Sequence, residues 1–282
     1  MPKSDMPFVA RPLAGLPLEP ELVAMREILP AAVATATLAD SGGGAASQPD
    51  GTATVQFVTF LPQMVRGFKR ADGVPVVALQ PPNPSDDVSQ DLGNALVAAL
   101  AAEPKSVAEP APLGMPGPRL QDLIDANGPV SFELKESFEY WTELDPDNKE
   151  LADAAVKSAD ELMPTELVGS IPGAYWARIN GREYLRWSLG IEEGALLDAL
   201  ARLQAKRQAG VMEGSKYAGA FRALGLVIPV WDLPAGTTAA DLTEPLAEFK
   251  GRLDEALAAA APLDANERRS RAGLVARFLT LR

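Results

Sequence analysis

Residues 174–189 read AYWARINGREYLRWSL, two short apolar and aromatic runs separated by Asn180-Gly181. That dipeptide supplies the positive φ angles of a two-residue hairpin turn. With Asn180 and Gly181 at the turn, Ala174 lies opposite Trp187, Trp176 opposite Leu185 and Arg178 opposite Glu183, all on one face. Tyr175 opposite Arg186, Ala177 opposite Tyr184 and Ile179 opposite Arg182 occupy the other. The first face reads as core, with Trp176, Trp187 and the later Trp231 as core residues. The second reads as partly wet.

A related pattern stands upstream. Val65–Ala71 and Val74–Gln80 flank Asp72-Gly73, and superposing this turn on Asn180-Gly181 places Phe68 on Trp176, Arg70 on Arg178, Val77 on Leu185 and Leu79 on Trp187. Each hairpin is followed by a helical leucine stripe behind a pair of acids. Asp86-Asp87 precede Leu92, Leu96 and Leu100, and Glu192-Glu193 precede Leu196, Leu200 and Leu203. The repetition suggests a duplicated unit.

The rest of the chain divides around these two units. Residues 1–20, with five prolines, read as an extended N-terminal arm. The first α+β unit is expected over 21–103. It holds a helix at Glu21–Leu29 and strands at 31–39 and 52–61. The glycine-rich loop between those strands lacks the Gly-Lys-Ser/Thr ending of a phosphate-binding loop. Five prolines with Gly114 and Gly117 mark 104–118 as a linker. The second α+β unit, 119–233, opens with a strand at Val130–Tyr140 and continues with a helix at 148–163. Ser215 reads as the cap of a short helix, Lys216–Leu224, stopped by Gly225. Pro229 marks Leu226–Trp231 as an edge or bulged strand. Residues 234–282 read as C-terminal helices. One carries Leu246, Phe249, Leu253 and Leu257, and the last is opened by an Asp264/Glu267 capping box and carries Leu274, Val275, Phe278 and Leu281. The expected fold class is therefore α+β: two similar units of small antiparallel sheet with helices on one side, and a helical C-terminal region.

Composition narrows the chemistry. The 282 residues include no cysteine and no histidine, which removes disulfides, thiolate nucleophiles, imidazole bases and Cys/His metal sites. No cofactor or metal is expected. Asp145 and Asp147 suggest a calcium loop, but Lys149 stands where an acid or amide is required and position 150 is not glycine. Ser215 and Lys216 are neighbours that would point apart on a helix. The formal charge is −12. Acids crowd residues 133–166, whereas the last nineteen residues carry five arginines against Asp264 and Glu267. Neither a signal peptide nor an apolar run of the ~20 residues that span a bilayer is visible, so no membrane association and a cytoplasmic location are expected.

Two sets of side chains suit partner binding. Tyr175, Arg182, Tyr184 and Arg186 share one face of the central hairpin, an aromatic and arginine surface of the kind that anchors partners. A local Tyr175–Arg186 cross-strand pair covered by a helix is the other reading of the same residues. Arg268, Arg269, Arg271 and Arg277 lie on the terminal helix, where they can meet phosphates or an acidic partner.

Four segments, GPRLQDLID, AYWARINGREYLRW, EGSKYAGAFRALGLVIPVWDL and ERRSRAGLVARFLTLR, together resemble an uncharacterised actinobacterial family without an assigned function. The resemblance is densest from Gly117 to Arg282, and it implies no catalytic residue. The leading expectation is a cytoplasmic, non-enzymatic interaction protein that binds a macromolecule, a protein in preference to nucleic acid. The alternatives are an enzyme or small-molecule sensor with a pocket between the two units, and a ribosome- or RNA-associated factor. No oligomeric state follows from the sequence.

Overall fold

The computed structural model describes residues 7–39, 53–80, 83–159 and 162–278. It divides into two units, Met1–Leu162 and Met163–Arg282. The glycine-rich loop and Leu281 lie outside the described residues. Among the described residues, no helix is long and apolar enough to cross a membrane.

The first unit contains helices α1 (Glu19–Glu27), α2 (Val88–Ala101), α3 (Leu120–Leu123) and α4 (Lys149–Ala159). Its strands are β1 (Ala32–Thr37), β2 (Thr54–Val58), β3 (Gly67–Lys69), β4 (Pro75–Ala78), β5 (Ser106–Val107) and β6 (Val130–Leu134). They form one sheet in the order β5-β3-β4-β2-β1-β6. Every pairing is antiparallel except β2 with β4. Helices were expected on one side, but both faces are covered. Val33, Val58, Val76 and Ala78 pack with Phe138, Tyr140, Trp141 and Ala155. On the opposite face Ala34 and Phe57 meet Leu16, Leu22 and Ile124, and α2 lies over β3 and β4.

The upstream hairpin forms with a register one residue away from the expected one. Phe68 pairs with Val76, not Val77. Arg70 N–H bonds to Val74 O at 3.0 Å and Gly73 N–H to Arg70 O at 2.9 Å, so the turn has three residues closed by Gly73 at φ +88°. Asp-Gly serves a three-residue loop as well as a two-residue one, and the sequence does not choose between them.

The 104–118 stretch is not an inter-domain linker. Ser106–Val107 pairs with β3, and the prolines that follow lie along α2. Asn94 Nδ2 donates to Met115 O (3.0 Å), Gln90 Nε2 to Gly117 O (2.8 Å) and Gly114 N to Asp91 Oδ1 (3.0 Å). Val130–Leu134, expected to open the second unit, pairs with β1 and closes the first. Proline enrichment marks extended backbone lacking donors. Here that backbone is packed, and its carbonyls are used as acceptors.

The second unit contains β7 (Thr165–Leu167), β8 (Ala174–Ile179), β9 (Arg182–Trp187), α5 (Glu193–Ala205), β10 (Lys216–Ala223), β11 (Leu226–Asp232), α6 (Ala239–Ala258) and α7 (Ala265–Val275). Its sheet is antiparallel throughout, in the order β10-β11-β9-β8-β7. The β8–β9 register is the expected one at every pair from Ala174–Trp187 to Ile179–Arg182. Residues Lys216–Leu224, expected as a helix, instead build strand β10. Leu224 and Gly225, at φ +46° and +83°, make a two-residue turn into β11, so Gly225 completes a hairpin where a helix stop was expected. Leucine at the first turn position hides this, because Asn, Asp or Gly is the usual signal. Strand β11 is interior, not an edge. Ala220 N–H points away from it toward Arg277 O (3.4 Å), which turns Pro229, its pair on β11, toward β9. The β9 ladder begins only at Val230, so the missing N–H leaves no gap.

The two units therefore share a hairpin followed by an acid-capped helix, but their sheets are connected differently. Asp87 accepts from Ser89 N and Gln90 N at the start of α2, and Glu192 accepts from Ala195 N at the start of α5.

A paired glycine test reports the packing of the proline-rich segment. A Cβ at Gly93 would lie 2.1 Å from Pro118 O, whereas one at Gly251, exposed on α6, meets nothing within 4 Å. Gly93→Ala is expected to cost about 1–3 kcal/mol by overpacking. Gly251→Ala is expected to add about 0.5–1 kcal/mol. Urea denaturation of the two variants measures both.

Candidate functional site

The terminal helix is set by local chemistry. Asp264 Oδ1 accepts from Asn266 N (2.7 Å) and Glu267 N (2.8 Å), while Glu267 Oε2 accepts from Asp264 N (2.8 Å). This is the expected capping box, and it fixes the rotation of α7. Leu274 is the buried residue of the helix. Arg268 and Arg271, three positions apart, then fall on one side. With Asp198 of α5, Pro262, Leu263 and Ala272 they line an open groove of about 500 Å³.

Electrostatics differ along this surface. Arg271 Nε donates to Asp198 Oδ1 at 2.6 Å, with both side chains 39% exposed. Such a half-wet pair is worth at most about 1 kcal/mol, so either partner can be recruited by something else. Arg268 is exposed and donates to Leu263 O. Arg269 is exposed and has no ion-pair partner among the described residues. Arg202 donates from Nη2 to Ala261 O (2.7 Å) and from Nη1 to Ala256 O (3.4 Å), which holds the connection from α6 to α7 against α5.

Glu193 and Arg222 form a two-pronged pair beside this surface, at 2.8 and 2.6 Å. The hydrogen bond from Arg222 holds the Glu193 carboxyl below the usual glutamate value against a small burial penalty, with the charges of Arg222 and Arg271 helping. The Arg222 guanidinium also lies 4.3 Å from the Phe278 ring centroid.

The other expected site residues are not gathered here. Arg277 is exposed, yet its Nη1 donates to Tyr217 O at 3.2 Å and its carbonyl meets Ala220 N, so it staples the chain end to β10. On the hairpin, Arg182 is exposed, pairs with Asp232 at 3.3 Å and lies over the half-buried Tyr184 at 5.7 Å. Tyr175 and Arg186 are buried, so of the four hairpin residues only Arg182 and, in part, Tyr184 reach solvent. Burial pushes the Arg186 pKa down to about 10, with Tyr175 acting the other way. Asp145 and Asp147 are both engaged by Lys105, at 2.9 and 2.6 Å.

Sequence reading found Arg268 and Arg271 but not Asp198, Pro262 or Leu263. Asp198 is a lone acid among the leucines and alanines of α5, and only the docking of α7 gives it a role.

This is a two-unit α+β protein, and its sequence belongs to a family defined by sequence alone. That family is DUF5926, a family of unknown function, whose model matches residues 12–282. No curated protein and no solved structure matches the chain.

Because the Glu193 pKa is depressed in the folded state, the Arg222 pair adds stability that is fully present above the usual glutamate value, near 4.5. That stability is lost as pH falls through the lower folded value. Urea midpoints taken from neutral pH downward should drop less steeply across this interval in Glu193→Gln than in the wild type.

Proposed function

We propose that the protein is a cytoplasmic, non-enzymatic binding protein that uses the α7 face to engage an acidic segment of another protein. The observation that carries this reading is the groove in which Arg268 and Arg271 stand beside Leu263 and Pro262. Arginine next to apolar surface is the composition of interface anchors, because the planar guanidinium pairs with carboxylates while its stem covers hydrophobic area. Arg269, exposed on the same helix and without an ion-pair partner among the described residues, adds a further cation. The net charge of −12 disfavours long-range attraction to nucleic acid, which leaves a protein carboxylate as the better match for a local basic patch.

The reading is tested by affinity purification of the full chain from its native cells at low and high salt. Wild type and an Arg268→Ala/Arg269→Ala/Arg271→Ala variant are compared, with proteins identified by mass spectrometry and nucleic acid followed by absorbance. A stoichiometric protein recovered at low salt, released at high salt and lost in the variant is expected. Recovery of the same proteins by both chains, or of nucleic acid alone, would overturn it.

A further inference from the structure

Two resident carboxylates stand near Arg271 of the α7 groove, and they are held very differently. Glu193 is gripped by both prongs of Arg222, at 2.8 and 2.6 Å, and feels Arg271 only through its charge. Asp198 is joined to Arg271 by one hydrogen bond, from Nε to Oδ1 at 2.6 Å. It has no other ion pair among the described residues. Arg202, one helical turn further along α5, is spaced to take Asp198. Its Nη1 and Nη2 are instead committed to Ala256 O and Ala261 O. Asp198 is therefore held by a single prong of a single arginine, on the wall of a groove of about 500 Å³.

That arrangement bears directly on an incoming acid. A guanidinium grips a carboxylate best through two parallel N–H···O bonds along one edge, and Asp198 already occupies the Nε edge of Arg271. A second carboxylate brought to the same guanidinium would also stand close to the first, and like charges at that range repel. Releasing Asp198 costs little by comparison. The pair is half in water, where such bonds contribute weakly, and the freed carboxylate can hydrate without α5 moving. An acidic segment can thus exchange with Asp198, two bonds replacing one. A segment without an acid meets an arginine that is already neutralised.

Resting on the reading of α7 as a site for an acidic segment, we infer that Asp198 is a resident competitor in that groove: the partner's carboxylate takes Arg271 by displacing it. Asp198 is a positioning and specificity residue, which holds the Arg271 side chain in the unbound chain and excludes segments that carry no acid. Removing its charge while keeping its shape should strengthen binding, the opposite of what loss of a merely structural residue does.

The probe is a fluorescein-labelled peptide of glutamate and leucine residues, followed by fluorescence anisotropy with the full-length chain at low and high salt. The same peptide with glutamine in place of glutamate is the neutral control. Wild type should bind the acidic peptide in a salt-sensitive manner, and Arg268→Ala/Arg269→Ala/Arg271→Ala should not. Asp198→Asn should bind it about three- to fivefold tighter than wild type. That difference should vanish when Asp198→Asn is combined with Arg271→Ala. If wild type and the triple variant bind alike, if neither binds, or if the neutral peptide binds wild type equally well, the α7 reading falls and this inference with it. If the triple variant loses binding but Asp198→Asn binds no tighter than wild type, the competitor role alone is overturned. Tightening that survives without Arg271 overturns it too, because a general charge effect then accounts for the result. Should melting temperature show that Asp198→Asn does not fold, Asp198→Ser takes its place in each comparison.

Discussion

Three indoles, each tied to a loop, hold the second unit together. Trp176 Nε1 donates to Thr237 O (2.8 Å) at the entry to α6, Trp187 Nε1 to Pro172 O (3.0 Å) ahead of β8, and Trp231 Nε1 to Ala209 O (2.7 Å) beyond α5. The rings of Trp187 and Trp231 converge on Phe249, at 6.4 Å and 5.5 Å respectively. Burying an indole of roughly 150–250 Å² at about 25 cal/mol per Å² yields about 4–6 kcal/mol. A single net hydrogen bond contributes only about 1 kcal/mol. Area therefore drives the collapse, and the N–H bonds select where each loop lands. The surface presented by α5 and α7 inherits its geometry from those landing points.

How much of this could be read beforehand depended on whether a feature was local. Asn180-Gly181 with its alternating flanks specified the β8–β9 register at every pair, and Asp264 with Glu267 specified the start of α7, because each signal lies within a few residues of what it determines. Leu224-Gly225 gave no such signal: a leucine at φ +46° is held there by the pairing of β10 with β11, which is tertiary information. The proline-rich stretch misled for a related reason. Its composition reports extended backbone, and whether that backbone lies in water or on α2 is decided by Gly93 and Asn94, residues that read as ordinary helix. At the candidate site, the arginines were legible by type and spacing. Their acid partner and apolar neighbours were not, and the hairpin pattern left two readings of Tyr175 and Arg186 open, since face assignment from a hairpin says which residues share a side but not what each side meets.

Charge is sorted by context more than by count. Arg11–Glu19 and Asp87–Arg119 pair around carboxylates that are themselves buried, so in the first unit two arginines fix the arm and the capped start of α2. In the second unit the same residue type plays three parts. Arg222 and Arg277 bind structure together, Arg186 is desolvated, and Arg268 with Arg269 faces solvent. An acidic protein can thus keep a small basic surface without a basic overall composition.

The route of the last described residues has a consequence for how copies of this chain meet one another. Strand β10 is the outermost strand of its sheet, and an open outer strand is a template for uncontrolled pairing between molecules. Here Ala220 forms a parallel bridge with Phe278, and a Cβ at Gly219 would come within 2.3 Å of Arg277 O. The residues that follow α7 thus lie against the middle of this edge, where a foreign strand would have to pair, and so disfavour end-to-end sheet growth and the aggregation that follows from it.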